Sequence, residues 1–323
     1  MAVPSSRLFL GIIPWYSLLI VCGAALAIFL AVREEPRTAL KKDTVIDFAL
    51  WVLPCGIIGA RVYYVIFAWD QFKSDFWSVF KIWEGGIAIY GAVIAGLLTA
   101  VFFCRSRKLP LLQLCDIIAP GLVLAQAIGR WGTYFNQEAF GLPVTNPALC
   151  FFPFAVLIPG SSGLEWHMAT FFYESLWNLL VFVFLLIGRR KWFRYAGDVF
   201  FFYAFLYACG RLIIEDFRLD SLYASSSLRI SQLLSLLICM GLMIYYLVRF
   251  RSTPLPFVWR IPAFVSLAVS LLLCPFVLGL VSFPDYPLHF LLLLVCSLFN
   301  ILGICSLYGK CAEGDVLYAD IKG

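Results

Sequence analysis

Residues 129–141, reading GRWGTYFNQEAFG, set Arg130, Asn136 and Glu138 among Gly129, Gly132 and Gly141 at the end of an apolar run. A guanidinium beside small residues suits a phosphate, because its planar fork binds two oxygens at once and glycine lets backbone approach a ligand closely. The alternative is a capped helix end holding an Arg–Glu pair. Tyr207, Arg211, Glu215 and Arg218 follow at intervals of four, four and three residues, which puts them on one helical face. Two arginines flanking a glutamate keep it ionised and retain donors for an anion. A polar zipper to neighbouring helices is the competing reading. Asp216 and Asp220 fall off this face and are expected to be solvated.

Residues 83–91, WEGGIAIYG, pair Gly85 with Gly86 in a loop and send Tyr90 into the next apolar run beside Gly91. A tyrosine there offers a hydrogen-bond donor, although a packing aromatic is the commoner role. Arg61 and Tyr64 lie within one apolar stretch, and Glu174 opens another in YESLWN. An isolated charge in lipid is expensive, so Arg61 and Glu174 are expected to pair with each other or with the groups above. Gly160-Ser161-Ser162-Gly163 spells a GxSG nucleophile signature, but it sits in a Pro-Gly-Ser turn with His167 too near in sequence to serve from another helix. A flexible turn is the expectation.

The elements that must hold these residues are membrane-spanning helices. The chain is 63% hydrophobic and 13% charged over 323 residues, whereas a soluble domain is about a quarter charged. Nine stretches reach the roughly 20 apolar residues of a span: 14–32, 45–68, 86–104, 111–128, 168–187, 197–215, 228–248, 261–283 and 288–308. Arg33, Arg37, Lys41 and Lys42 follow the first of these, and Arg105, Arg107 and Lys108 the third. Arg189, Arg190, Lys191 and Arg194 follow the fifth, Arg249, Arg251 and Arg260 the seventh, and Lys310 and Lys322 the last. All fall on one side, which the positive-inside rule makes cytoplasmic, so the N-terminus is expected outside and the C-terminus inside. The run at 14–32 is too long for a cleavable leader and lacks a small-residue cleavage site.

Residues 69–85, rich in Trp and Phe, read as an interfacial segment, and 129–167 as an outer polar segment. Pro254, Pro256 and Pro262 mark a break, which divides a core at 1–250 from an appended pair of helices at 251–323. No repeat relates the two halves, which argues against an inverted-repeat transporter. There is no basic run long enough to follow a nucleic-acid backbone. The 11 cysteines are scattered without metal-ligand spacing and read as small buried hydrophobes. With only His167 and His289 beside them, no metal site is expected.

These motifs together resemble those of the prolipoprotein diacylglyceryl transferases. Residues 129–141 are similar to the family's GRxGNFxNxExxG, with Thr133 in place of Asn and Tyr134 in place of Phe. IWEGGIAIYG resembles the family's glycine loop entering the third helix. GARVYYVIF, FFYESLWN and GRLIIEDFRLDSL resemble further blocks in the same order, and Arg229 with Ser231 and Gln232 resembles the opening of the last core helix. The resemblance covers roughly residues 15–248. It implies an all-α polytopic membrane protein with a seven-helix core, N-terminus outside and C-terminus cytoplasmic, in a bacterial cell membrane, with its site toward the outer face. The last two helices lie outside that core.

The activity implied by the resemblance is transfer of the diacylglyceryl group from phosphatidylglycerol to the lipobox cysteine of prolipoproteins, giving a thioether and glycerol 1-phosphate, with no cofactor. Phosphate leaves readily only when its charge is neutralised, which arginines in a low-dielectric cleft can do. A thiol of ordinary pKa, about 8.5, must also lose its proton. Arg130 and Arg211 match the family's essential arginines and are expected as phosphate clamps, with Glu138 and Glu215 as acids that orient them. Tyr90 stands where many members carry His, discussed there as the base, and is expected as a proton acceptor or headgroup donor. Arg61, Tyr64, Gly85, Gly86, Asn136, Gly141, Tyr207 and Arg218 are expected substrate contacts. Two other readings use the same residues: a lipid transporter or flippase, and a catalytically inactive homologue acting as a lipid-binding scaffold.

Overall fold

The structure is a computed structural model and describes residues 7–73, 75–138, 140–160, 163–219, 229–251, 257–277 and 286–322. Asp220, Ser161, Ser162, Pro254, Pro256 and the His289 side chain lie outside the described residues. Helices form where the apolar runs fall. They are α1 (Trp15–Glu34), α2 (Thr44–Phe67), the short α3 (Trp69–Phe72), α4 (Ile89–Arg107), α5 (Leu111–Asn136), α6 (Thr170–Lys191), α7 (Asp198–Ile214), α8 (Ile230–Arg249), α9 (Ile261–Val277) and α10 (Tyr286–Lys322). Among the described residues the all-α expectation holds apart from two antiparallel hairpins: β1 (Leu8–Phe9) with β2 (Ile13–Pro14), and β3 (Ala155–Gly160) with β4 (Gly163–Met168). Gly160 pairs with Gly163 at one end of the second hairpin, and the expected turn at Ser161 and Ser162 lies outside the described residues.

Eight helices among the described residues are long and apolar enough to cross a membrane. The expected span at 197–215 forms α7, whose 17 residues cover about 26 Å at ~1.5 Å per residue. A 3-10 turn at Glu215–Phe217 extends it. Leu50, Phe102, Leu180 and Leu272 are exposed on these helices, a surface that water would not tolerate at this extent and lipid would. The protein is therefore a multi-pass membrane protein.

The chain divides into two compact units, one formed by 1–26 with 122–323 and the other by 27–121. In the second unit α2 and α4 approach closely through small residues: a Cβ on Gly91 would meet the Gly59 carbonyl, and one on Gly59 would meet Ala95. Such packing is how helices associate where no hydrophobic force separates them from lipid. Val45, Phe48, Phe103, Cys104, Leu114 and Ile117 fill the core beneath. The buried Glu35 carboxylate accepts the backbone N–H groups of Asp43 (3.0 Å) and Val45 (2.8 Å) and so secures the start of α2.

The expected helix at 111–128 continues to Asn136, so most of the polar motif is helix rather than loop. Glycine weakens a helix but does not end it. Here Gly132 admits the Tyr16 ring, whose Cδ2 would lie 2.8 Å from an added Cβ. Tyr134 stacks on Phe171 at 4.9 Å, and Trp15 on Phe135 at 4.7 Å. The helix ends in a left-handed residue, Gln137, after which the Glu138 N–H bonds the Thr133 carbonyl at 2.9 Å. Leu212, Leu236, Leu273, Leu293 and Cys296 form the core shared by α7, α8, α9 and α10.

Candidate active site

Glu174, in the first turns of α6 and 5% exposed, is the point on which the first unit's arginines converge. Arg130, near the end of α5, pairs through Nε with its Oε2, and Arg211, in the last turn of α7, pairs through Nη1 with Oε1. Arg218, just past the 3-10 turn, reaches the same Oε1 at 3.3 Å. Arg211 also holds Glu215 one turn on, Nη2 to Oε2 at 2.5 Å. Tyr207 hydrogen-bonds with Arg130. Three guanidiniums thus meet around Glu174, and one of them also holds Glu215. Burying charge in lipid is costly, and a guanidinium cluster offers forked donors to an anion.

The arginines stay reachable. Arg130 keeps 21% of its side-chain surface, Arg211 16% and Arg218 10%. A small recess of about 10 Å³ lies beside them, bounded by Glu174, Trp177, Asn178, Tyr207, Gly210, Arg211 and Ile214. Gly210 is required by its neighbour: a Cβ there would run into the Trp177 indole, which donates from Nε1 to the Leu206 carbonyl at 2.9 Å. Beside Glu174, Trp131 Nε1 donates to Ser175 Oγ (3.1 Å), and Ser175 donates to the Ala127 carbonyl (2.8 Å). These bonds fix α5 against α6 one turn from Arg130.

Gly141 acts through backbone. Its N–H bonds the Met168 carbonyl at 3.0 Å, and the N–H of Leu142 bonds the Phe217 carbonyl at 2.9 Å. The segment therefore lies between β4 and the turn that leads to Arg218. A Cβ on Gly141 would lie 2.7 Å from Thr170 and 2.8 Å from Met168, so no larger residue fits. His167 Nδ1 bonds the Gly141 carbonyl at 2.8 Å, a structural use of one of the two histidines. Asn136 closes α5, half-buried. Glu138 lies beyond it with an exposed side chain, and the carboxylate at Arg130 is Glu174 instead. Thr133, the departure from the family pattern, donates to the Arg130 carbonyl at 2.7 Å.

Asp216 corrects the expectation that it is solvated. It is 1% exposed and accepts Arg229 Nη1 at 2.8 Å, which also bonds the Glu215 carbonyl at 3.0 Å. The helix tightens into the 3-10 turn at this point, and Arg229, at the start of α8, meets the side chain that an ideal α7 would have turned outward.

In the second unit Arg61 directs every donor of its guanidinium at backbone. Nε bonds the Val79 carbonyl (2.9 Å), Nη1 those of Gly85 (2.6 Å) and Gly86 (2.8 Å), and Nη2 those of Ser78 (2.7 Å) and Lys81 (3.4 Å). It fixes the loop that enters α4, a structural task beyond the substrate contact expected of it. Gly85 and Gly86 take φ of 92° and 76°, and a Cβ on Gly86 would meet Arg61 Nη1 and the Tyr64 ring, each at 2.7 Å. Tyr64 donates to Gln71 Oε1 at 3.3 Å. Tyr90, the second residue of α4, is half-buried with its ring 6.5 Å from that of Tyr63.

A multi-pass membrane protein with a buried arginine–carboxylate site is thus defined. The chain belongs to the prolipoprotein diacylglyceryl transferase family, whose profile matches residues 8–248, and it is a bacterial membrane transferase. It is 44% identical over 261 residues to the phosphatidylglycerol–prolipoprotein diacylglyceryl transferase of Oceanobacillus iheyensis, covering 78% of this chain and 90% of that relative. The enzyme of the same name from Enterococcus faecalis is 43% identical over 254 residues, covering 78% and 91%. That of Halalkalibacterium halodurans is 43% identical over 253 residues, covering 76% and 87%. The family match ends before α9 and α10.

Proposed function

We propose that this protein moves the diacylglyceryl group of phosphatidylglycerol onto the lipobox cysteine of prolipoproteins, the first step of lipoprotein maturation. The observation that carries the reading is the convergence of Arg130, Arg211 and Arg218 on Glu174, which gathers three guanidiniums at one place. The cysteine thiolate attacks the glyceryl carbon bearing the phosphate. A carbon–sulfur bond forms, the carbon–oxygen bond breaks, and its electrons leave on glycerol 1-phosphate. A second negative charge develops on that phosphate, so guanidiniums set in place beforehand stabilise the transition state more than the ground state. The same positive field favours thiolate over thiol at the attacking cysteine.

In this reading Arg130 and Arg211 clamp the phosphate and Glu215 orients Arg211. Tyr207, Arg218, Asn136 and Gly141 line or support the headgroup's place, and Glu138 is the acid at its rim. Tyr90, with Arg61, Tyr64, Gly85 and Gly86 behind it, takes its part from the family position: a hydrogen bond to the headgroup, or acceptance of the thiol proton. No metal or cofactor enters the reaction. Residues 1–250 are the transferase core of seven helices and 251–323 an appended pair, a division supported by the end of the family match at 248. The run of basic connections supports an outer N-terminus, a cytoplasmic C-terminus and a site toward the outer face.

Incubation of the purified protein with labelled phosphatidylglycerol and a lipobox peptide tests the activity, with thioether-linked product expected. Movement of lipid between leaflets without product would favour the flippase reading, and lipid binding alone the inactive scaffold. Cysteine labelling in intact cells tests the orientation. A probe at 189–194 that reacts with an impermeant reagent from outside would sink it.

A further inference from the structure

α9 and α10 lie beyond the family match, yet α10 packs along α7, the helix that carries Tyr207 and Arg211. We propose that α10 is a brace for α7 and that Phe290 is a positioning residue, holding the turn that bears Glu215 and leads to Arg218. The inference rests on the transfer reading of the arginine site and assigns a role to residues that reading leaves unused.

The contacts run the whole length of α7. At its first residue, Asp198 is fully buried and accepts the Tyr308 hydroxyl on Oδ2 at 2.5 Å, the Tyr246 hydroxyl on Oδ1 at 3.2 Å and the Tyr195 N–H at 2.8 Å. Tyr308 in turn accepts the Arg194 N–H at 3.0 Å, so one residue of α10 holds both the start of α7 and the segment before it. Midway, Ser297 Oγ donates to the Cys209 carbonyl at 3.3 Å, and Leu293 and Cys296 share a core with Leu212, the residue after Arg211. At the far end the Phe290 ring lies 4.8 Å from that of Phe217. Phe217 closes the Glu215–Phe217 turn, and its carbonyl accepts the Leu142 N–H.

The pair of helices has its own internal fastening, which separates bracing from mere bulk. Asn300 Nδ2 donates to Ser270 Oγ at 3.1 Å, and Ser266 donates to Asn300 Oδ1 at 2.6 Å, all of it buried between α9 and α10. Breaking that network loosens the pair while leaving the contacts to α7 in place. Removing Phe290 frees the Glu215 turn while leaving the network whole. Catalytic groups tolerate little displacement, and a shift of about 1 Å can lower a rate ~100-fold.

The test uses the full chain in bilayer discs, with phosphatidylglycerol as donor and a lipobox peptide as acceptor. Phe290→Ala is expected to lower kcat by about tenfold or more with KM for phosphatidylglycerol near the wild-type value, and Phe290→Leu, which keeps bulk at the contact, to recover most of it. Asn300→Ala is expected to lower Tm with kcat retained. Amide hydrogen exchange over 211–219, which needs no turnover, should quicken in Phe290→Ala and not in Asn300→Ala. Wild-type kcat or unchanged exchange in Phe290→Ala would overturn the proposal, as would a kcat that falls with Tm in Asn300→Ala. An inactive wild type would overturn the transfer reading instead, and the exchange measurement would still decide whether α10 braces α7.

Discussion

Arg61 and Arg211 sit on long apolar helices with little of either side chain exposed, but their partners differ in kind. Arg61 meets five neutral carbonyls of one loop, which between them take all the hydrogen bonds a guanidinium can give. Arg211 meets Glu174 and Glu215, and shares Glu174 with Arg130 and Arg218. Glu174, shared among three guanidiniums, gathers three forked anion donors at one place. Burial alone does not tell a site from a scaffold in lipid. The identity and number of the acceptors do.

The sharpest way to break this comparison is to remove the site's arginines. Arg130→Ala and Arg211→Ala are each expected to cost about 2–4 kcal/mol of transition-state stabilisation, as loss of an oxyanion donor does. Lys should restore activity only in part, because it lacks the planar fork. The fold should survive, since Glu174 keeps two other arginines in either variant. Near-normal kcat/KM in folded Arg211→Ala protein would dissolve the distinction.

Arg61→Lys tests the other side. Three ammonium donors cannot serve five carbonyls, and each buried acceptor left unpaired costs about 1–3 kcal/mol. Tm and activity should therefore fall together. An unchanged Tm with a large loss of kcat would move Arg61 from the scaffold to the site.

A smaller effect is expected at Tyr90. A general base contributes roughly 10²–10⁴ in rate, and a phenol, of ordinary pKa about 10, is a weak one at neutral pH. Tyr90→Phe should keep transfer within about tenfold of wild type, well under the loss of a true base, and Tyr90→His should be tolerated. Transfer rate against pH for all three proteins is the measurement. Abolished transfer in Tyr90→Phe with lipid binding intact would make Tyr90 the proton acceptor.

The smallest effect belongs to Thr133→Asn, which installs the residue commoner in the family. The Thr133 hydroxyl donates to the Arg130 carbonyl one turn back, so a change within about 0.5 kcal/mol is expected. A kcat gain of tenfold or more would mark Thr133 as a catalytic departure rather than a helix-end detail.

Much of the molecule was legible in the sequence because its signals are local. Apolar runs of sufficient length located the helices, since hydropathy and the needs of the lipid-exposed backbone act residue by residue. The spacing of Tyr207, Arg211 and Glu215 put them on one face, and the motif at 129–141 pointed to Arg130. What the tertiary structure alone decided was partnership. Glu174 was flagged as a charge needing a partner, but its choice of three arginines depends on how α5, α6 and α7 meet. Asp216 read as solvated because an ideal helix turns it outward; it is buried because α7 tightens and Arg229 arrives from the start of α8. α5 continues through Gly129 and Gly132, and at Gly132 it packs on Tyr16, far away in sequence, where a side chain is missing. The cost of a buried charge belongs to one residue and can be read there, whereas the group that relieves it is set by contacts between segments that only folding brings together.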